Sequence, residues 1–129
     1  MVNPTITAWH EIARSGDIAR LDELLADDAV FHSPVVHRPQ AGRELVRMYL
    51  AAAFEVFLND SFRYVREVVD GNDAVLEFQT EIDGIEVNGV DMIRWNDAGH
   101  IVDFKVMIRP LKAIEVVHRR MAERLQGAR

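Results

Sequence analysis

The spacing of hydrophobic residues divides the chain into two parts. Up to about residue 60, apolar residues recur every three to four positions, which is typical of helices that bury one face. Beyond that point apolar and polar residues alternate, which predicts strands with one face towards a core. Helices followed by a run of strands indicate an α+β domain.

Three helices are predicted before the four long strands and one after them. Asn3 and Pro4 are a favoured N-cap and first helical residue, Gly16 ends that helix, and a second helix follows at once. A longer helix starts after Gly42, and Pro110 starts the C-terminal one. The expected buried faces are Ile6, Trp9 and Ile12 in the first helix, Ile18, Leu21, Leu24 and Leu25 in the second, Leu45, Met48, Tyr49, Ala52 and Val56 in the third, and Leu111, Ile114, Val117, Met121 and Leu125 in the last.

One short strand, at 29–33, and four longer ones are predicted. The longer strands lie near 61–69, 73–83, 86–96 and 100–109. Short turns rich in Asp, Asn and Gly separate them, so we expect sequential strands to be antiparallel neighbours.

Composition narrows the class of protein. The 129 residues, 49% hydrophobic and 28% charged, suffice for one domain with a buried core. A net charge of −6 argues against nucleic-acid binding, which needs a basic surface. The absence of cysteine from the sequence excludes disulfides, thiolate metal sites and a cysteine nucleophile. No apolar run reaches the roughly 20 residues of a membrane span and the N-terminus lacks a signal-peptide pattern, so we expect a cytoplasmic protein without a membrane partner.

Three parts of the sequence resemble a known family. The segment WHEIARSGDIARLDELLADDAVFHSP (9–34), the helix after Gly42 and the segment GVDMIRWNDAGHIVDFKVMIRP (89–110) are similar to the SnoaL-like branch of the nuclear-transport-factor-2-like superfamily. The resemblance implies a cone, in which a curved antiparallel sheet wraps round the N-terminal helices beside a C-terminal helix. It also implies an apolar cavity at the open end and a homodimer through the outer sheet face. One fold carries many chemistries, so function has to come from individual residues.

Ketosteroid isomerases of this superfamily offer the first functional comparison. Their tyrosine on the first helix corresponds to Trp9, and their general-base aspartate corresponds to Ser33. Their third group, a carboxylic acid kept neutral so that it can donate a hydrogen bond, corresponds to Asp91 in the pattern formed with Arg94 and Gly99. The chain keeps the acid and lacks the base, so we expect no steroid-type proton transfer.

SnoaL-like polyketide cyclases and limonene-type epoxide hydrolases offer the second comparison, because they place an acid or base in the last strand. The corresponding residue is Val106, which cannot transfer a proton. Asp103 is near in sequence, but strand alternation directs it to the opposite face unless a bulge intervenes.

Asp91 is the candidate catalytic residue, as an acid or an oxyanion donor. It shares a strand face with Gly89 and Ile93, and burial among apolar neighbours should raise its pKa. The alternative is a structural aspartate that accepts a hydrogen bond from the backbone or from an indole. Trp9 is a candidate for that indole, or else contacts the ligand.

The resemblance implies that the cavity takes a small apolar or aromatic molecule, and we expect no cofactor. Ser33 has no activating base, which leaves it as pocket lining or a turn cap. We expect no metal at His32 and His37, because metal sites need three or four converging ligands. His32 as a base beside the pocket remains an alternative. The residues expected to line the pocket are Trp9, Phe31, Ser33, Tyr49, Phe78, Phe104 and Val106.

Val90 and Met92 alternate with Asp91 and therefore face outward. Apolar residues on an exposed sheet face are normally covered by a partner, so we expect a homodimer. Two functional hypotheses stay open. One is cofactor-free proton transfer of the isomerase, cyclase or lyase type, and the other is a non-catalytic ligand-binding or accessory module.

Overall fold

The computed structural model describes residues 3–127, in which a curved six-stranded sheet packs against helices. The order of helices, strands and a final helix agrees with the predicted α+β class. No helix within residues 3–127 is long and apolar enough to cross a bilayer. The elements are α1 (Pro4–Ser15), a short 3-10 helix (Ile18–Arg20), α2 (Leu21–Leu24), β1 (Leu25–His32), β2 (Gln40–Ala41), α3 (Arg43–Phe57), β3 (Arg63–Asp70), β4 (Asp73–Ile82), β5 (Ile85–Trp95), β6 (Ile101–Arg109) and α4 (Leu111–Gly127).

Helix α1 begins and ends where the sequence predicts. The side-chain oxygen of Asn3 accepts hydrogen bonds from the backbone N–H groups of Thr5, at 2.9 Å, and Ile6, at 3.2 Å. Gly16 ends the helix in the left-handed conformation, at a φ of 72° that glycine adopts without strain. Both ends are thus capped, and the helix holds Trp9 in the core with 3% of its surface exposed.

The second helix is shorter than predicted, because its last residues belong to the sheet. Helix α2 ends at Leu24, and Leu25 starts β1 by pairing with Ile101 of β6. Leu25 is buried as expected, but in a strand rather than on a helix face. Tertiary pairing here outweighs local helical spacing.

The buried faces of α3 and α4 agree only in part with the prediction. Ala52, Val56, Val117 and Met121 are buried as predicted, whereas the other members of the predicted faces are not fully buried. Leu45, Met48 and Tyr49 are half-buried rather than buried, and Leu111 keeps 70% of its surface exposed. Both helices pack against β-strands and against each other, and these contacts select a partly different stripe from the apolar residues available. The buried residues are Val46, Leu50, Ala52, Val56 and Phe57 in α3, and Ala113, Val116, Val117 and Met121 in α4.

The strand order is β2-β1-β6-β5-β4-β3. Strands β3 to β6 form the predicted antiparallel meander. Strand β1, however, pairs parallel to β6, so the sheet is mixed and not wholly antiparallel. Turn chemistry reports only on strands that follow each other in sequence, and it gave no information about this long-range pairing.

The register of β5 determines the surroundings of Asp91. Asp91 lies opposite Leu76 of β4 and Val106 of β6, and all three are buried on the face that packs against the helices. On the outer face, Arg94 lies opposite Asp103. Asp91 and Asp103 are therefore on opposite faces of the sheet, as strand alternation predicts.

Candidate functional site

A small apolar cavity lies between α1, α3 and the inner face of the sheet. Its volume is about 40 Å³, and Asp91 and Tyr64 are the titratable side chains on its wall. We call it the Asp91 cavity. Five of the seven residues expected to line a pocket lie on its wall, namely Trp9, Phe31, Phe78, Phe104 and Val106.

Asp91 is a buried carboxyl group in aromatic and aliphatic surroundings. It keeps 7% of its surface exposed and lies in the middle of the wall formed by the sheet. Burial disfavours the charged form and raises the pKa of Asp91 to about 7, although a hydrogen bond from Tyr64 opposes the increase. The group is therefore neutral below pH 7 and can act as an acid under mild conditions.

Tyr64 connects Asp91 to Trp9. Its hydroxyl donates to Oδ2 of Asp91 at 2.6 Å and accepts from Nε1 of Trp9 at 3.0 Å. Burial and the adjacent Asp91 raise the pKa of Tyr64 well above its ordinary value, so the phenol stays protonated. The indole of Trp9 thus does not reach Asp91 directly, which corrects the simplest form of the indole hypothesis.

Tyr64 was not predicted from the sequence as a site residue. One signal was present, because Phe62 and Tyr64 are two residues apart at the start of the strand predicted near 61–69 and therefore lie on the same face. The apolar alternation is lost beyond Tyr64, where β3 has a bulge between Tyr64 and Arg66 and the following residues are exposed. Because of this irregularity, the hydrophobic pattern does not show that the Tyr64 side chain points inward.

Aromatic rings fill most of the space around the carboxyl group. Trp9 packs against Phe104 with ring centroids 4.8 Å apart, and Phe62 stacks on Phe78 at 5.4 Å. Gly89 permits the position of Phe78, since an added Cβ would lie 2.6 Å from the Phe78 ring. The remaining volume suffices for a water molecule, so a larger ligand requires these rings to move.

An open recess of about 520 Å³ adjoins the Asp91 cavity. The two share Ala13, Leu58, Phe62 and Tyr64, whose side chains lie between the cavity and the recess. Within this recess, His10 lies edge-on to Tyr64 with ring centroids 5.1 Å apart. The recess therefore adjoins the side of the cavity on which Tyr64 lies.

Ser33 and Tyr49 lie outside the Asp91 cavity, contrary to the expectation. Both line a separate groove of about 250 Å³ beside α4. Strand β1 ends at His32, so Ser33 leaves the sheet, and its hydroxyl caps a turn by accepting from the N–H of Val35 at 3.1 Å. On α3, Tyr49 packs against Phe31, which lies on the cavity wall.

His32 and His37 lie outside the Asp91 cavity. Nε2 of His32 lies 2.9 Å from Oδ1 of Asp103 on the outer face of the sheet, away from the cavity. His37 is exposed in the loop after β1. Within residues 3–127, no group of three potential metal-ligating side chains converges.

The outer sheet face carries a diagonal apolar stripe, bordered by Glu77 opposite Val90 and by Lys105 opposite Met92. Val90 lies opposite Met107 of β6, and Met92 lies opposite Val75 of β4, which in turn pairs with Val68 of β3. Val90 and Met92 are half-buried, whereas the other three keep between 37% and 55% of their surfaces exposed. Charged rows flank the stripe, including Arg94 beside Asp73 and Arg66 beside Glu77.

Comparison with known proteins defines the class. The model of the SnoaL-like domain matches residues 6–104. The chain belongs to this family, within the nuclear-transport-factor-2-like superfamily. No curated protein matches the chain.

Solved structures add relatives of differing closeness. A protein from Pseudomonas aeruginosa described as a steroid delta-isomerase is 40% identical, with a TM-score of 0.91 over 96% of this chain and 90% of that one. A cystatin-like protein of uncharacterised function from Silicibacter pomeroyi DSS-3 is 36% identical, with a TM-score of 0.87 over 94% and 84% of the two chains. A SnoaL-like protein from Jannaschia sp. CCS1, described as a putative polyketide cyclase, is 14% identical, with a TM-score of 0.69 over 91% and 96%. The last likeness concerns the fold alone.

Proposed function

We propose that this protein binds a small apolar or aromatic carbonyl compound in the Asp91 cavity and promotes proton transfer on it without a cofactor. The observation that carries the proposal is the buried Asp91 carboxyl, which lies in an otherwise apolar cavity and has a pKa of about 7. A perturbed acid in an aromatic cleft is a recognised signature of a functional site.

The chemistry proposed for Asp91 is that of an acid. Neutral Asp91 donates a hydrogen bond to the carbonyl oxygen of the ligand, and this bond strengthens as negative charge develops on that oxygen. Apart from Asp91, Tyr64 is the titratable group on the wall, and its proton is already donated to Asp91. A water molecule therefore takes the proton released from carbon, Asp91 gives its proton to the carbonyl oxygen to form the enol, and the Asp91 carboxylate then recovers a proton from the hydronium ion.

Similarity to the Pseudomonas aeruginosa protein favours isomerase-type chemistry over cyclase-type or lyase-type chemistry. Two features argue against a steroid as the substrate. The isomerase base corresponds to Ser33, which lies outside the cavity, and the cavity volume of about 40 Å³ is far below the roughly 300 Å³ of pockets for drug-sized ligands.

Deuterium exchange tests the proposal. Acetophenone in D₂O should incorporate deuterium into its methyl group faster with protein than in buffer, as followed by proton NMR. Asp91→Ala should lower the protein-dependent rate by about 100-fold or more. Asp103→Ala is the matched control, because it removes a carboxyl from the outer face of the same sheet and should leave the rate unchanged. Equal rates for Asp91→Ala and the unmodified protein would contradict the proposal.

A non-catalytic ligand-binding or accessory module is the second candidate. The observation in its favour is that Asp91 and Tyr64, which are hydrogen-bonded to each other, are the titratable side chains on the cavity wall, so no further side chain of the wall serves as a base for a carbon-bound proton. Binding of acetophenone without any protein-dependent deuterium exchange would select this candidate over the enzyme.

We also propose that two copies associate through the outer sheet face and that the protein acts in the cytoplasm. The apolar stripe around Val90 and Met92 supports a dimer, since burial of such a stripe removes apolar area from water. The flanking rows carry both signs of charge, which allows one face to complement a second copy of itself across a two-fold axis.

A further inference from the structure

Three side chains in the Asp91 cavity form a hydrogen-bond chain with a fixed direction. The Trp9 indole nitrogen can only donate, and it donates to the Tyr64 oxygen. The single Tyr64 proton is donated onward to Oδ2 of Asp91. We propose that Trp9 and Tyr64 act as positioning residues that place the proton of neutral Asp91 on Oδ1, so that the site selects ligands that accept a hydrogen bond.

The direction of the chain follows from the chemistry of its members. Because Trp9 has no acceptor, its N–H occupies a lone pair of Tyr64 and leaves the phenolic proton free to be donated. Oδ2 of Asp91 accepts that proton at 2.6 Å and therefore cannot also carry its own towards Tyr64. The acidic proton belongs on Oδ1, which has no hydrogen-bond partner within the described residues, on a side chain that lines the cavity.

Few other charged groups lie near the hydrogen-bond chain formed by Trp9, Tyr64 and Asp91. From α1, His10 lies beside Tyr64, and from β3, Glu67 lies next to His10 with an Nε2 to Oε1 distance of 2.6 Å. The negative charge of Glu67 adds a minor increase to the pKa of Tyr64. Strands β1, β4 and β6 and helix α3 contribute only apolar side chains to the cavity wall. The protonation of Asp91 is thus controlled mainly by burial and by Tyr64.

The hydrogen-bond chain implies a preference for acceptor ligands that is lost as the pH rises. When Asp91 is neutral, its Oδ1 donates, and the favoured ligand presents an acceptor such as a ketone oxygen. When Asp91 is ionised, both its oxygens accept, and that ligand loses its partner. This part of the inference rests on the proposed function, whereas the direction of the chain does not.

A titration without ligand tests the direction of the chain. The carboxyl carbon resonance of Asp91 should report a pKa in the unmodified protein and in Tyr64→Phe and Trp9→Phe. Tyr64→Phe removes the bond that stabilises the carboxylate, so the pKa should rise by about 1 to 2 pH units. Trp9→Phe should raise it less, because Tyr64 can still donate. An unchanged or lower pKa of Asp91 in folded Tyr64→Phe would overturn the proposed hydrogen-bond chain. If Tyr64 had only a structural role, its replacement would not raise the pKa of Asp91.

A matched pair of ligands tests the selectivity. Acetophenone and ethylbenzene have similar shapes, but only the ketone accepts a hydrogen bond. The ratio of their affinities should fall about tenfold between pH 5 and pH 9 in the unmodified protein. In Asp91→Asn, the amide oxygen should accept from Tyr64 and the amide N–H should face the ligand, so the ratio should stay high at both pH values. A flat ratio in the unmodified protein, or a loss of preference in Asp91→Asn, would overturn the selectivity. If neither probe binds, the proposed pocket function and the selectivity fail together, while the titration still decides the direction of the chain.

Discussion

Asp91 and Val106 are direct partners across β5 and β6, and both side chains line the Asp91 cavity. The resemblance to cyclases and epoxide hydrolases of this superfamily implies that Val106 stands where those enzymes carry an acid or base. A carboxyl group introduced at position 106 would therefore lie beside Asp91.

The first prediction concerns this pair. Val106→Asp adds a carboxyl beside a buried one, and two such groups cannot both ionise without mutual repulsion. We expect the variant to lose about 3 kcal/mol or more of its free energy of unfolding at pH 8 and to recover part of that loss at pH 5, as measured by urea denaturation. Val106→Asn is the control, because it is polar but uncharged and should show a loss that varies little with pH.

The second prediction concerns Asp91 and pH. Between its unfolded pKa near 3.8 and its folded pKa of about 7, the native protein retains a proton that the unfolded chain has released. The contribution of this group to stability therefore falls as pH rises through that interval and levels off above pH 7. Relative to Asp91→Asn, the unmodified protein should lose about 4 kcal/mol between pH 4 and pH 8. Parallel stability curves for the two proteins across this range would contradict the prediction.

The third prediction concerns Gly89. An added Cβ would lie 2.6 Å from Cζ of Phe78 and 2.7 Å from the backbone oxygen of Met107. The ring can turn aside, but the backbone oxygen belongs to the paired strand and cannot move without disturbing the ladder. Gly89→Ala should destabilise the protein by about 1 to 3 kcal/mol. A melting temperature equal to that of the unmodified protein would show that β5 and β6 separate more easily than this geometry implies.

The fourth prediction concerns the outer sheet face. Val90→Asp places a charge in the middle of the apolar stripe, and burial of an unpaired charge is unfavourable. Light scattering after size-exclusion chromatography should report a dimer for the unmodified protein and a monomer for this variant. Leu111→Asp is the control, because Leu111 is an exposed apolar residue on α4, and it should leave the dimer intact. A monomer for the unmodified protein at high concentration would end the dimer proposal.

Patterns in the sequence predicted those features that local chemistry controls. The caps of α1 at Asn3 and Gly16 and the meander of β3 to β6 follow from residue types and short turns. The inward direction of Asp91 follows from strand alternation. These features can be predicted without knowing which segments pack against them.

Features that depend on distant contacts were not predictable in the same way. Leu25 joins a strand because β6 is available to pair with it, and Tyr49 turns from the cavity because α3 packs by a partly different stripe. Tyr64 reaches Asp91 only because β3 is joined to β4 in a particular register beyond a bulge. The hydrophobic pattern of one segment does not predict which distant segment packs against it.

The parallel pairing of β1 with β6 has a consequence for how the molecule forms during synthesis. Strand β6 lies between β1 and β5, so the sheet remains in two pieces until the ribosome has released the segment up to Arg109. Contacts between segments so far apart in sequence form late, because closing long loops is entropically unfavourable. On a nascent chain that lacks β6, Asp91 has neither Val106 nor Phe104 beside it and remains hydrated, with the acidity of an ordinary aspartate. We therefore expect the raised pKa of this carboxyl to appear only once β6 has paired with β5.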